Sequence, residues 1–95
     1  MAVRIVAETI LKPGYREALE PAFKKLIENT RAEAGNISYD LTETLDDPNH
    51  LFFIEQWESH EAIAAHFQMP HFLEYSSFVA DKVVKRVAYK VQSIK

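Results

Sequence analysis

Residues 50–79 read HLFFIEQWESHEAIAAHFQMPHFLEYSSFV, and what they can fold into constrains the rest of the chain. His50 to Trp57 is a strand that carries Phe52 and Ile54 on one side and Leu51, Phe53 and Trp57 on the other, so both of its sides are apolar. Ser59 then supplies an N-cap, since its hydroxyl can accept from an early unpaired backbone N–H of a short helix from His60 to about Gln68. Pro70 fits best as the first residue of a further helix, where no N–H is required, and that helix continues through Phe72, Tyr75 and Val79 on a shared face.

The flanking sequence supplies the partners of this strand. Upstream, Asp46-Asp47-Pro48-Asn49 reads as a turn, and before it Asn36 to Thr44 alternates Ile37, Tyr39 and Leu41 with Ser38, Asp40 and Thr42. Tyr15 to Ala34 repeats Leu19, Phe23, Leu26, Ile27 and Thr30 at helical spacing, with Gly35 placed as a left-handed C-cap. Pro21 cannot bond the carbonyl of Glu17, which predicts a separate first turn or a bend between Glu17 and Pro21. Val3 to Leu11 is a strand closed by Lys12-Pro13-Gly14, and Val83 to Ile94, rich in valine, is a fourth. The order is β-α-β-β-αα-β, an α+β, ferredoxin-like arrangement in which a four-stranded antiparallel sheet carries its helices on one face. The uncovered face is also apolar, which predicts a homodimer.

Ninety-five residues make one domain, 1–95, with 47% apolar and 26% charged residues, the balance of a folded globular protein. Six Phe, four Tyr and Trp57 supply enough rings to wall a pocket. A net charge of −3 gives no footprint for nucleic acid or an anionic membrane. The absence of cysteine excludes disulfides, thiolate zinc sites and a cysteine nucleophile. With no run resembling a signal or a membrane span, the cytoplasm is the expected compartment.

No cofactor motif is visible. The only glycines, Gly14 and Gly35, sit at element boundaries, so there is no phosphate cradle, and no serine lies in a nucleophile elbow. His60, His66 and His71 are six and five residues apart, which puts neither neighbouring pair on one helical face, and no metal site is expected. His66 is the preferred catalytic candidate, because Ile63 and Phe67 turn that part of its helix to the core and place an ionisable ring against an aromatic cavity. Trp57, Tyr39 and Tyr75 read first as core rings, whereas Glu55 and Glu8 are carboxylates on strands and read first as solvated or ion-paired.

The segment from Ile54 to Ser76, with Glu-x-Trp closing a strand, a central His on a short helix and Pro-His-Phe opening the next, resembles the antibiotic biosynthesis monooxygenase (ABM) family. Ala7-Glu8, Lys12-Pro13-Gly14, Thr30 to Gly35 and Leu45 to Pro48 resemble it too. The resemblance implies a dimeric α+β barrel with a pocket between sheet and helices in each subunit. It also implies oxidation by O₂ of a quinol or other electron-rich aromatic, polyketide-like small molecule without flavin, haem or metal. By the same resemblance His66, or a water it orients, would be the base; Trp57, Phe67 and Phe72 would stack on a planar substrate; and His71, Tyr75 and Tyr39 would bond its oxygens.

Haem degraders of this fold place Asn, Trp and His where this chain has Thr9, His66 and Ser76, so haem cleavage is not expected. Two alternatives stay open: an isomerase of a small carbonyl or phosphorylated sugar-like compound, and a non-catalytic dimer that binds an apolar ligand.

Overall fold

Seven elements follow one another in the computed structural model, which describes residues 2–95. They are β1 (Val3–Leu11), α1 (Glu20–Arg31), β2 (Asn36–Thr44), β3 (Asp47–Trp57), α2 (His60–His66), α3 (Pro70–Val79) and β4 (Val83–Val91). The strands form one antiparallel sheet in the order β2-β3-β1-β4, and the helices cover one of its faces. The apolar strands β1 and β3 lie in the centre. β4, studded with Lys85, Arg86 and Lys90, takes an edge, where charge discourages pairing with foreign strands.

Period two explains which side chains meet the helices. Leu51, Phe53, Glu55 and Trp57 of β3 face them together with Ile5, Thr9 and Leu11 of β1, and Leu19, Phe23, Leu26, Ile63, Tyr75 and Val79 close the core from above. The opposite parity faces away. Val6 stands between Ile54 and Tyr89 across the ladders, and Ile54 is 43% and Tyr89 51% exposed.

Several boundaries differ from those the sequence suggests. α1 begins only at Glu20; residues 15–19 form separate turns, with Leu19 N–H donating to the Tyr15 carbonyl at 3.0 Å and Glu20 N–H to that of Glu17 at 3.2 Å. Pro21 therefore sits in the first helical turn, where its missing N–H costs nothing. Gly35 is not the C-cap, since the helix ends at Arg31 with Ala32 capping it. Gly35 is needed for the turn beyond, where φ is +88° and an added Cβ would come 2.6 Å from the Ala62 Cβ.

The hairpin turns on Leu45 and Asp46, earlier than the expected turn, and β3 starts at Asp47. The pairing with β2 jumps from Glu43–Leu51 to Thr44–Asp47, an irregularity that contains Pro48, which has no N–H for a ladder. A second irregularity between Asn36 and Ser38 leaves Ile37 half-exposed instead of aligned with Tyr39. α2 ends at His66, short of Gln68, and β4 ends at Val91, short of Ile94.

Candidate active site

A cavity of about 240 Å³ lies between the sheet and the pair α2 and α3. Its floor is the helix-facing parity of the strands, including Thr9, Tyr39, Phe53 and Glu55, and its roof is His66, Phe67, Phe72 and Tyr75. Arg86 and Ala88 complete it; both are exposed and lie on the edge strand β4, so the cavity opens at that edge.

His66, the last residue of α2, is 1% exposed. The Ser59 hydroxyl accepts from Ala62 N–H at 3.1 Å and fixes the start of that helix, so the ring's position follows from a local cap. His66 Nδ1 lies 2.6 Å from Oε2 of Glu33, a nearly buried carboxylate in the turn between α1 and β2. With the carboxylate accepting the Nδ1 proton, Nε2 is left as the basic nitrogen of the neutral ring. Burial holds the His66 pKa below its ordinary value, and the Glu33 hydrogen bond opposes that shift only in part.

Glu55 is the second ionisable group inside the cavity. It is 5% exposed, not solvated at an edge as the sequence suggested, because its strand parity points under the helices. Burial raises its pKa to about 7, against the hydrogen bond from Trp57 Nε1 at 2.9 Å and with a further push from the Glu33 charge. Glu8, by contrast, faces the open side of the sheet and pairs with His50 at 2.7 Å and Lys85 at 2.9 Å, as expected of a salt-bridged carboxylate.

Of the residues singled out above, His66, Phe67, Phe72, Tyr75 and Tyr39 come together as cavity lining. Trp57 and His71 do not. Trp57 is fully enclosed at the end of β3, where the chain turns straight into α2; its ring stands 4.7 Å from that of His66 and its N–H holds Glu55, so it supports the two ionisable groups and offers no stacking face. His71 precedes Phe72 on α3 and is thereby rotated about 100° from the cavity face. It turns to Glu33, with Nε2 2.7 Å from the same Oε2 that bonds His66.

Burial raises the pKa of both tyrosines, to about 12 for Tyr75. The Tyr75 hydroxyl is buried without a partner. The Arg86 guanidinium lies over the Phe72 and Tyr75 rings at 5.5 and 5.2 Å and donates to Ser76 Oγ at 3.0 Å.

Glu33, Thr9 and Arg86 were not apparent as site residues in the sequence. The alternation of β1 and β4 could have indicated Thr9 and Arg86. Nothing local marks Glu33, which meets His66 across 33 residues.

The chain turn at residues 67–69 also brings the His66 and His71 rings to 6.3 Å, which sequence spacing had kept apart. Glu33, His66 and His71 thus present three potential metal ligands with donor atoms within 4.8 Å of one another. Ligands held ~2.0–2.1 Å from a tetrahedral metal stand roughly 3.3 Å apart. Contacts of 2.6 and 2.7 Å to one carboxylate oxygen are the spacing of charge-assisted hydrogen bonds instead.

Residues 2–77 match the family model described as "Antibiotic biosynthesis monooxygenase". The chain belongs to the antibiotic biosynthesis monooxygenase family. An ABM relative, the Mycobacterium tuberculosis protein named "Putative monooxygenase Rv0793", is 35% identical over 94% of this chain and 87% of its own. Another, the Escherichia coli K12 protein named "Probable quinol monooxygenase YgiN", is 31% identical over 85% of this chain and 88% of its own. The crystal structure of PA3566 from Pseudomonas aeruginosa superposes with a TM-score of 0.90 at 29% identity, covering 99% of this chain and 95% of that one. This ABM chain has the four-stranded antiparallel sheet with helices on one face, and among the described residues no helix is long and apolar enough to cross a membrane.

Proposed function

We propose that this ABM protein is a homodimeric monooxygenase that oxidises a compact quinol or comparable electron-rich phenol with O₂, using no cofactor. The observation that carries the proposal is the Glu33–His66 pair beside a cavity with aromatic walls: a buried imidazole with Nδ1 2.6 Å from a carboxylate oxygen, which leaves its second nitrogen for a ligand. At about 240 Å³ the cavity is smaller than the ~300–1,000 Å³ usual for larger ligands, which suits a small ring system. The name of the Escherichia coli relative supports the quinol class.

In the proposed reaction neutral His66 takes a proton from the phenolic hydroxyl through Nε2. The resulting anion is electron-rich enough to reduce O₂ directly, and the protein's task is to hold it, shield it from water and stabilise its charge. Phe53, Phe67 and Phe72 hold the ring, the unpartnered Tyr75 hydroxyl donates to a substrate oxygen, and Arg86 at the mouth offsets the developing negative charge. One oxygen atom enters the ring and the other leaves as water, so that quinol plus O₂ balances as hydroxyquinone plus water.

A second reading has its own support. Glu55 and His66 are two proton carriers on one cavity, the arrangement an isomerase of a small carbonyl compound would use. Oxygen uptake by chelator-treated protein, measured with a panel of hydroquinones, decides between them. Uptake above autoxidation, lowered about 10²–10⁴-fold per folded molecule in His66→Ala, supports the proposal. Turnover of a sugar phosphate under nitrogen, or saturable binding with no turnover, sinks it in favour of an isomerase or a binding protein.

A further inference from the structure

His66 and His71, both bonded to Glu33, line two neighbouring cavities that share Tyr75 as a wall. His66 lines the substrate cavity, and His71 does not. His71 lines a small cleft of about 50 Å³ together with Ala22, Lys25, Glu74 and Tyr75, and His66 does not. Between them stands one carboxylate oxygen, Glu33 Oε2, at 2.6 Å from His66 Nδ1 and 2.7 Å from His71 Nε2. The series runs from 1% exposure at His66, through a Glu33 side chain at 4%, to 16% at His71.

We infer that Glu33 and His71 are positioning residues that move charge between the cavity and the surface, so that the proton His66 takes from the substrate is matched by one that His71 releases to solvent. The inference rests on His66 being the base proposed above. One carboxylate offsets one imidazolium, and the two rings lie 6.3 Å apart, close enough that a charge on one disfavours a charge on the other. On this inference the resting charge lies on His71, the more exposed of the two rings, whose Nε2 is 2.7 Å from Glu33 Oε2. When His66 Nε2 accepts the substrate's phenolic proton, the charge moves to His66, and His71 gives its Nδ1 proton to water in the outer cleft. The substrate has lost one proton, the solvent has gained one, and no electrons have moved. The proton equivalent thus leaves by the small cleft beside His71 and not through the mouth of the substrate cavity at β4.

Other charged groups frame the pair. Glu55 from β3, Tyr39 from β2, and Tyr75 and Arg86 from α3 and β4 share the cavity with His66. Lys25 from α1 and Glu74 from α3 flank His71 and pair with each other at 2.8 Å, which leaves the outer cleft nearly neutral.

The test needs no substrate. Titration of both imidazoles by NMR in ¹⁵N-histidine-labelled protein should show two interacting rings, each curve bearing an inflection at the other's midpoint. His71→Gln keeps an N–H donor for Glu33 but cannot hold the charge. In that variant His66 should bind its proton about tenfold more tightly and titrate in one step. Glu33→Gln should weaken proton binding by both rings. Simple, independent curves in the parent protein, or a His66 curve unchanged in a folded His71→Gln variant, would overturn the inference. Since these curves are read without turnover, failure of the oxygenase proposal would appear separately, in the oxygen electrode.

Discussion

Glu55 and Trp57 are two residues apart on β3 and therefore share a face, which places a nearly buried carboxylic acid beside an indole N–H. The folded state holds the Glu55 proton up to a pH of about 7, whereas the free side chain releases it near 4.5. Between those values the folded protein binds more protons than the unfolded chain, so stability falls as pH rises through the window. The loss is complete above it and amounts to at most about 3 kcal/mol. His66 acts in the opposite sense: its lowered pKa means that stability is lost as pH falls below about 6.5. Glu55→Gln retains an acceptor for Trp57. It should therefore match the parent near pH 5 and exceed it by about 1–3 kcal/mol at pH 8.5. Chemical denaturation at the two pH values checks this, and parallel stabilities at both would show that Glu55 is not a buried acid.

At the scale of elements, the site depends on how the turn after α1 approaches α2. Gly35 lies under Ala62, and its carbonyl accepts from Glu58 N–H at 2.8 Å, tying the end of β3 to the turn that carries Glu33. Gly35→Ala would put a Cβ against the Ala62 Cβ while holding an L-residue at positive φ, and both effects push α2 outward. The expected cost is about 2–4 kcal/mol of stability. Where protein remains folded, the Nδ1–H resonance of His66 should lose the downfield shift of a short hydrogen bond. Ser59→Ala, which removes only the cap of α2, should cost about 1 kcal/mol and leave the resonance in place. A thermal melt and a proton spectrum of each variant separate displacement of the helix from simple loss of stability.

The whole molecule leaves one sheet face without a cover. Val6, Ile54 and Tyr89 form an apolar row across three strands, flanked by the Glu8–His50 and Glu8–Lys85 pairs. We expect a second copy to occupy it, since a face that joins apolar residues of three strands is costly to leave in water. Light scattering at micromolar concentration should give about twice the chain mass. Ile54→Lys should weaken association at least tenfold, because an unpaired ammonium would be buried at the centre of the contact. A monomer in the parent protein would refute this assembly. Ile54 is remote from the cavity by strand parity, so the substitution tests the interface without touching the lining.

The order of the seven elements, the two-faced character of β3, the cap at Ser59 and the core direction of His66 were all legible in the chain. Each is set by interactions within a few residues: the period of a strand or helix, a side chain bonding a nearby N–H, a proline without one. The same local logic misplaced the start of α1 and the register near Ile37, because turn and bulge geometry is chosen by the sheet as a whole. The polar heart of the site was not legible. Glu33 meets His66 and His71 across 33 and 38 residues, and no periodicity reports on contacts that only the packing of a turn against two helices creates. Trp57 is the core ring that its residue type suggested and not the stacking ring that the resemblance implied, since whether a ring lines a cavity or lies behind its wall depends on the backbone that covers it.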